Sequence, residues 1–159
     1  MAQENLQGFG IEPITNGNRN DIGIIRYYPY SCCLVERITP SVGRIIIENA
    51  HQHSFEEGYH IEDYCKAVAF KIGDSEKVEL HEISSNEVYA IGRNIPHQVI
   101  IAKKSLYSVT PGTRESFVNG TAPVDCNIIK EAEKEGLLKK IDWLQKSKRF
   151  MNEIQAHIK

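Results

Sequence analysis

The chain has 159 residues, and its 19 Lys and Arg against 21 Asp and Glu leave a formal charge of -2. This is the length of one ordinary domain, and charges so evenly mixed argue against a general nucleic-acid or anionic-membrane binder. No apolar run reaches the length of a membrane span, and the opening MAQENLQGFG lacks the basic and apolar regions of a secretory signal, so a cytoplasmic protein is expected.

Residues 1–21 are rich in Gly and Asn (GFG, NGNRN) and read as an N-terminal arm. From 22 to 122 the chain is a series of short runs rich in Val, Ile and Tyr: GIIRYY, CCLVERI, GRIIIE, YHIEDY, AVAFKI, KVELHEI, EVYAI, HQVIIA and LYSV. Turn signals separate them, among them Pro40, Gly43, Gly73-Asp74, Ser84-Ser85-Asn86, Gly92 and Pro96. Many short strands without a helical period between them predict an antiparallel barrel or sandwich. In residues 123–159 the pattern changes. Apolar residues at spacings of three and four, from Ile128 to Ile158, predict an amphipathic helical segment. Asp125 is the expected cap and Gly136 the expected break, giving two pieces that pack on the barrel or on a partner chain.

The cysteines stand at 32, 33, 65 and 126. None forms a CxxC pair, and adjacent Cys32 and Cys33 do not readily bond to each other, so free thiols in a reducing compartment are expected.

The stretch HQHSFEE puts His51, His53 and Glu57 within seven residues. In an extended strand His51 and His53 share a face, and Glu57 continues it if no bulge intervenes, whereas Glu56 points the other way. Two imidazole nitrogens and a carboxylate oxygen suit a divalent transition metal such as Fe, Mn, Ni, Cu or Zn. A further ligand has to come from another strand. His97 heads the apolar strand HQVIIA and alternates with Val99 and Ile101, so it is expected to face the interior. There an imidazole needs a metal or a hydrogen-bonding partner.

These segments together resemble the cupin superfamily. Its first motif, a Gly, HxH and then a Glu, is matched by Gly43, His51-Gln52-His53 and Glu57; its second by Gly92-Arg93-Asn94-Ile95-Pro96-His97. The resemblance spans roughly residues 22 to 112. It implies a mainly β, cupin-like antiparallel barrel or jelly roll at 22–122, followed by the helical tail. It also implies a metal set of His51, His53, Glu57 and His97 with an open position for water, dioxygen or substrate, and a homodimer.

Around that set, Glu56, Tyr59 and Tyr89 are candidates for proton transfer, and Arg26, Tyr28 and Arg93 for substrate binding. His60, His81 and His157 match no motif position and are expected at the surface. The favoured reading is a metal-dependent isomerase, lyase or dioxygenase acting on a small polar or anionic, sugar-like molecule. Two others compete with it: a metal-free nucleotide-sugar epimerase or ketoisomerase, and a non-catalytic binding or regulatory module whose tail docks a partner.

Overall fold

The computed structural model describes residues 22–159, so the expected arm at 1–21 lies outside the described residues. In chain order the strands are β1 (Gly23–Pro29), β2 (Cys33–Pro40), β3 (Ile45–Ile47), β4 (His51–His53), β5 (Glu57–Ile61), β6 (Lys66–Ile72), β7 (Val78–Glu82), β8 (Tyr89–Ile91), β9 (His97–Ala102), β10 (Leu106–Pro111) and β11 (Thr121–Pro123). They form two antiparallel sheets. One has the order β1-β2-β10-β5-β8; the other runs β11-β4-β9-β6-β7, with β3 also paired to β9. Nearly every apolar run read in the sequence contains one of these strands.

Alternation along the strands divides the apolar residues between two cores. Ile38, Tyr59, Ile61, Ala67, Ala69, Val99, Ile101 and Leu106 come from both sheets and fill the space between them. Val68, Phe70, Ile100 and Ala102 point the other way, off the second sheet. Strand β9 is therefore buried along its whole length, and it reads as a nearly continuous hydrophobic run. In its inward row His97 stands with Val99 and Ile101, as the alternation predicts.

The outward row of that sheet is covered by the tail, which folds as α2 (Ile128–Lys134), a 3-10 turn (Leu137–Lys140), α3 (Asp142–Gln145) and α4 (Lys148–Ile158). Ile128, Ile129, Ala132, Leu138, Leu144, Ile154 and Ile158 all enter the same core as Val68 and Phe70. Polar ties fix the tail to the sheet: Arg44 meets Glu153 at 3.0 Å, and Trp143 Nε1 donates to Glu82 at 3.0 Å. Two details differ from the sequence reading. The cap of α2 is Asn127, whose side chain accepts from Lys130 N, and not Asp125. The tail also breaks more than once: Gly136, at φ 74°, ends α2 as expected, and Ile141 and Ser147 then start new segments. A further short helix, α1 (Arg114–Asn119), precedes β11 and carries a Thr113–Ser116 capping box that the sequence reading did not anticipate.

Candidate metal centre

His51 and His97 are direct ladder partners across β4 and β9, which brings their rings to a centroid separation of 4.3 Å. His53 follows His51 by one period of the strand, with its ring 4.8 Å from that of His51 and 5.2 Å from that of His97. Glu57 arrives by a route the alternation argument did not foresee. The chain leaves β4, turns through residues 54–56, and enters β5 in the opposite sheet. Glu57 thus faces the histidines from across the core instead of continuing their face. One donor atom from each of His51, His53, Glu57 and His97 lies within 4.8 Å of every other. His97, His53 and Glu57 are 0, 2 and 3 % exposed.

Hydrogen bonds determine which nitrogen each ring presents. His51 Nδ1 lies 2.7 Å from Asn49 O and His97 Nδ1 2.8 Å from Ile95 O. A carbonyl can only accept, so both Nδ1 atoms carry the proton. His53 Nδ1 lies 2.8 Å from Thr121 Oγ1, and that hydroxyl donates to Phe117 O at 2.6 Å, so it too accepts from the ring. Nε2 of each ring is then the atom left for the cluster, a lone pair in the neutral ring and a donor when it is protonated. His97 Nε2 stands 3.3 Å, and His53 Nε2 3.4 Å, from Glu57 Oε1.

Acceptors facing one another at that distance repel unless a cation or proton stands among them. His53 Nε2 has no hydrogen-bond partner and is sealed from solvent. The carboxylate is already supplied with donors: Ser108 Oγ donates to Oε2 at 2.6 Å, and the Tyr59 hydroxyl donates to Oε1. Burial alone would raise the Glu57 pKa, but hydrogen bonds from His53 and His97, where their Nε2 atoms carry a proton, and from the Ser108 hydroxyl outweigh it and hold the group well below the usual carboxylate range. Burial and the nearby His97 lower His51 to about 4, so it is neutral at physiological pH, as a ligand must be. An orphaned nitrogen on His53, two further imidazoles, an ionised carboxylate and outer partners that fix each ring make up a donor set suited to a divalent ion. Bound there, such an ion would act as a Lewis acid or activate water or dioxygen.

A cavity of about 500 Å³ opens onto this cluster, lined by His51 and Glu57 with Ser108, Glu36, Glu48 and an apolar wall. Comparison with known proteins bears on the frame around it. No protein-family model matches the sequence, and no curated protein is significantly similar to it. Solved structures do match. Bacillus subtilis oxalate decarboxylase at pH 4.6 is 12 % identical with a TM-score of 0.56, over 77 % of this chain and 35 % of that one. A form of that enzyme with one tryptophan replaced by phenylalanine is 15 % identical with a TM-score of 0.57, over 80 % and 34 %. The same enzyme, studied for its Mn(II) centres, is 16 % identical with a TM-score of 0.55, over 77 % and 35 %. The chain has the cupin fold. It spans about a third of the length of those proteins, and at such identities the likeness extends to the cupin fold alone.

The other candidate residues are scattered. Tyr59 is fully buried, and burial together with Glu57 raises its pKa well above the ordinary value, so it holds its proton and positions Glu57. Exposed Glu56 and Arg93 line a second, wider cavity of about 660 Å³ that reaches Glu57 from the other side. Tyr89 lines neither cavity; it stacks on His81 at 4.0 Å, with Lys71 Nζ 5.9 Å from its ring centre. Strand register places Arg26 opposite Arg37 and Tyr28 opposite Val35, whereas the row facing the cavity pairs Ile25 with Ile38 and Tyr27 with Glu36. Arg26 and Tyr28 therefore lie on the sheet's other face, because a pleated strand alternates. His60 is exposed as expected, but His81 is half-buried between Tyr89 and Glu87, and His157 is half-buried beside α4's neighbours.

Sequence reasoning missed Thr121, Ser108, Glu36 and Glu48. Glu36 and Ser108 had a signal, since each occupies the inward row of its strand, between Leu34 and Ile38 and between Leu106 and Thr110. Thr121 and Glu48 had none, because the distant pairing of β11 with β4 places the first and a loop places the second.

Proposed function

We propose that this cupin is a metal-dependent enzyme acting on a small polar molecule, as an isomerase, lyase or dioxygenase. The observation that carries the reading is the set of three imidazoles locked with Nδ1 protonated and Nε2 turned toward one buried carboxylate at the end of a cavity. A fully enclosed ion would be structural, whereas here His51 and Glu57 form part of the cavity wall, so substrate has a path to the ion. In this reading Glu57 and the histidines hold the ion, Ser108 and Tyr59 hold Glu57, and Glu36 and Glu48 are the groups placed to exchange protons with a bound molecule. The reading includes a homodimer and a cytoplasmic location.

The metal-free epimerase reading has less support. It needs cationic side chains for a diphosphate, and among the described residues no Arg or Lys lines this cavity. A tail that docks a partner is also less favoured, because the apolar face of the tail is used on the chain's own sheet.

Elemental analysis of protein purified without chelator, set beside a His51→Ala/His97→Ala variant, tests the metal requirement. Dioxygen uptake and solvent-deuterium exchange into hydroxy-carbonyl compounds, with and without the ion, then separate an oxygenase from an isomerase. Negligible metal in both proteins ends the metalloenzyme reading.

A further inference from the structure

The cavity at the His–Glu cluster holds more negative chemistry than a metal centre needs. Glu36, on the inward row of β2, is 7 % exposed and lines the cavity. Glu48, from the loop between β3 and β4, lines it as well, and its Oε2 is sealed from solvent without a hydrogen-bond partner. Among the described residues no Lys or Arg lines this space. Arg114 is the cation that eases Glu36, but its guanidinium lies 4.0 Å over the ring of Tyr27 and is not part of the cavity wall.

A buried carboxyl group and a half-buried one with a sealed, unpartnered oxygen are costly in a free protein when no cation stands in the cavity with them. Burial and the charge of Glu57 push both upward, Glu36 to about 8. Glu48 Oε2 lacks a donor, and Glu57 does not share its own, because Tyr59 and Ser108 are committed to it. The rest of the wall is apolar, with Ile25, Ile38, Ile47 and Phe117. What would satisfy such a space is a small molecule with a positively charged hydrogen-bond donor at one end. An entering ammonium draws the two carboxyl groups toward their ionised forms with release of a proton, whereas a carboxylate would add a second negative charge beside ionised Glu57 with no Lys or Arg in the wall to meet it.

We propose that the cavity is a binding site for a small amine, whose ammonium group is held by Glu36 and Glu48 while its other polar end reaches the His–Glu cluster, and that it discriminates against carboxylates. The second half of this assignment rests on the metal-centre reading; the first does not.

Ethanolamine, ethylene glycol and glycolate share one hydroxyl and differ at the other end, as ammonium, neutral hydroxyl and carboxylate. Their binding to metal-stripped protein, followed by calorimetry, tests the carboxylate pair by itself. Ethanolamine is expected to bind about tenfold or more tightly than ethylene glycol, the margin of one charge-assisted hydrogen bond, with glycolate weakest. The isosteric Glu36→Gln/Glu48→Gln variant, shown to be folded by circular dichroism, is expected to lose that preference. Glycol or glycolate binding as well as ethanolamine, no detectable binding of any of the three, or a preference that survives the double variant overturns the proposal. Metal uptake is measured on the same preparation. A protein that takes up no ion yet prefers ethanolamine refutes the metal reading and supports this one.

Discussion

Glu57 Oε1 lies 3.3 Å from His97 Nε2, although forty positions separate the two residues and the strands that carry them belong to different sheets. The contact bridges the space between the sheets at one point, and both side chains are buried there. With Nδ1 of His97 committed to Ile95 O, the free nitrogen and the carboxylate oxygen need a positive charge among them.

Metal content follows from that relationship. Protein prepared without chelator is expected to carry close to one divalent ion per chain, and His97→Ala to carry almost none, because three donors remain and one of the buried ones is gone. Where free ion stands at about 100 times its Kd, its removal should cost about 2.7 kcal/mol of stability. Calorimetric melting before and after dialysis against chelator measures this. Unchanged melting together with absent metal would contradict it.

Thr121 tests the tautomer argument. Its hydroxyl accepts from His53 Nδ1 and passes its own proton to Phe117 O, which keeps His53 Nε2 free as a donor atom. Thr121→Val preserves shape and removes the acceptor. Metal affinity should fall roughly 10- to 100-fold, the usual effect of losing an outer partner of a ligating histidine. A competition titration with a chromophoric chelator gives the number, and an affinity within a factor of two of the parent's would show that Thr121 does not orient the ring.

Much of this frame was legible in the sequence. Period-2 alternation located the strands, set His97 inward beside Val99 and Ile101, and paired His51 with His53 on one face. Glu57 does join the cluster, but not by continuing the face of His51 and His53, because the chain changes sheets between His53 and Glu57 and no strand face continues through that turn. Residue type alone suggests Arg26 and Tyr28 for the cavity, but strand parity puts them on the other side from Tyr27 and Ile25. The contribution of Thr121 depends on β11 returning to pair with β4, a contact across 68 positions that no local pattern encodes.

Glu36 gives a pH prediction. Its carboxyl is raised to about 8, mainly by burial and then by the charge of Glu57, against an unperturbed value of 4.5. Between those values the folded chain keeps a proton that the unfolded chain has lost, so this group makes stability fall as pH rises from 4.5 toward 8. At about 1.36 kcal/mol per unit the ceiling is about 4 to 5 kcal/mol. Glu36→Gln removes the titration, so metal-stripped variant and parent should be close at the acidic end, with the variant gaining steadily toward pH 8. Denaturant melts across that range check the slope. A constant difference would mean that Glu36 ionises normally.

Gln98 joins the tail to the cavity. It sits next to His97 but points off the opposite face of β9, is 1 % exposed, and makes two bonds at once: its Nε2 donates to Glu48 O at 2.9 Å, and its Oε1 accepts from Ile129 N at 3.0 Å. One side chain therefore satisfies the backbone of the loop that carries Glu48 and the first turn of α2. Gln98→Leu keeps the volume and leaves a part-buried carbonyl and a buried amide unpaired; each such group costs about 1 to 3 kcal/mol, and partial exposure of the carbonyl keeps the sum to about 2 to 4. For a chain of this size that lowers the melting temperature by roughly 5 to 15 °C. Because the loop shifts with it, amine binding at Glu48 should weaken, while metal affinity, which depends on the inward face of β9, should change far less. If metal affinity fell as much as melting temperature, the two faces of this strand would be coupled through His97, and Gln98 would belong to the metal centre.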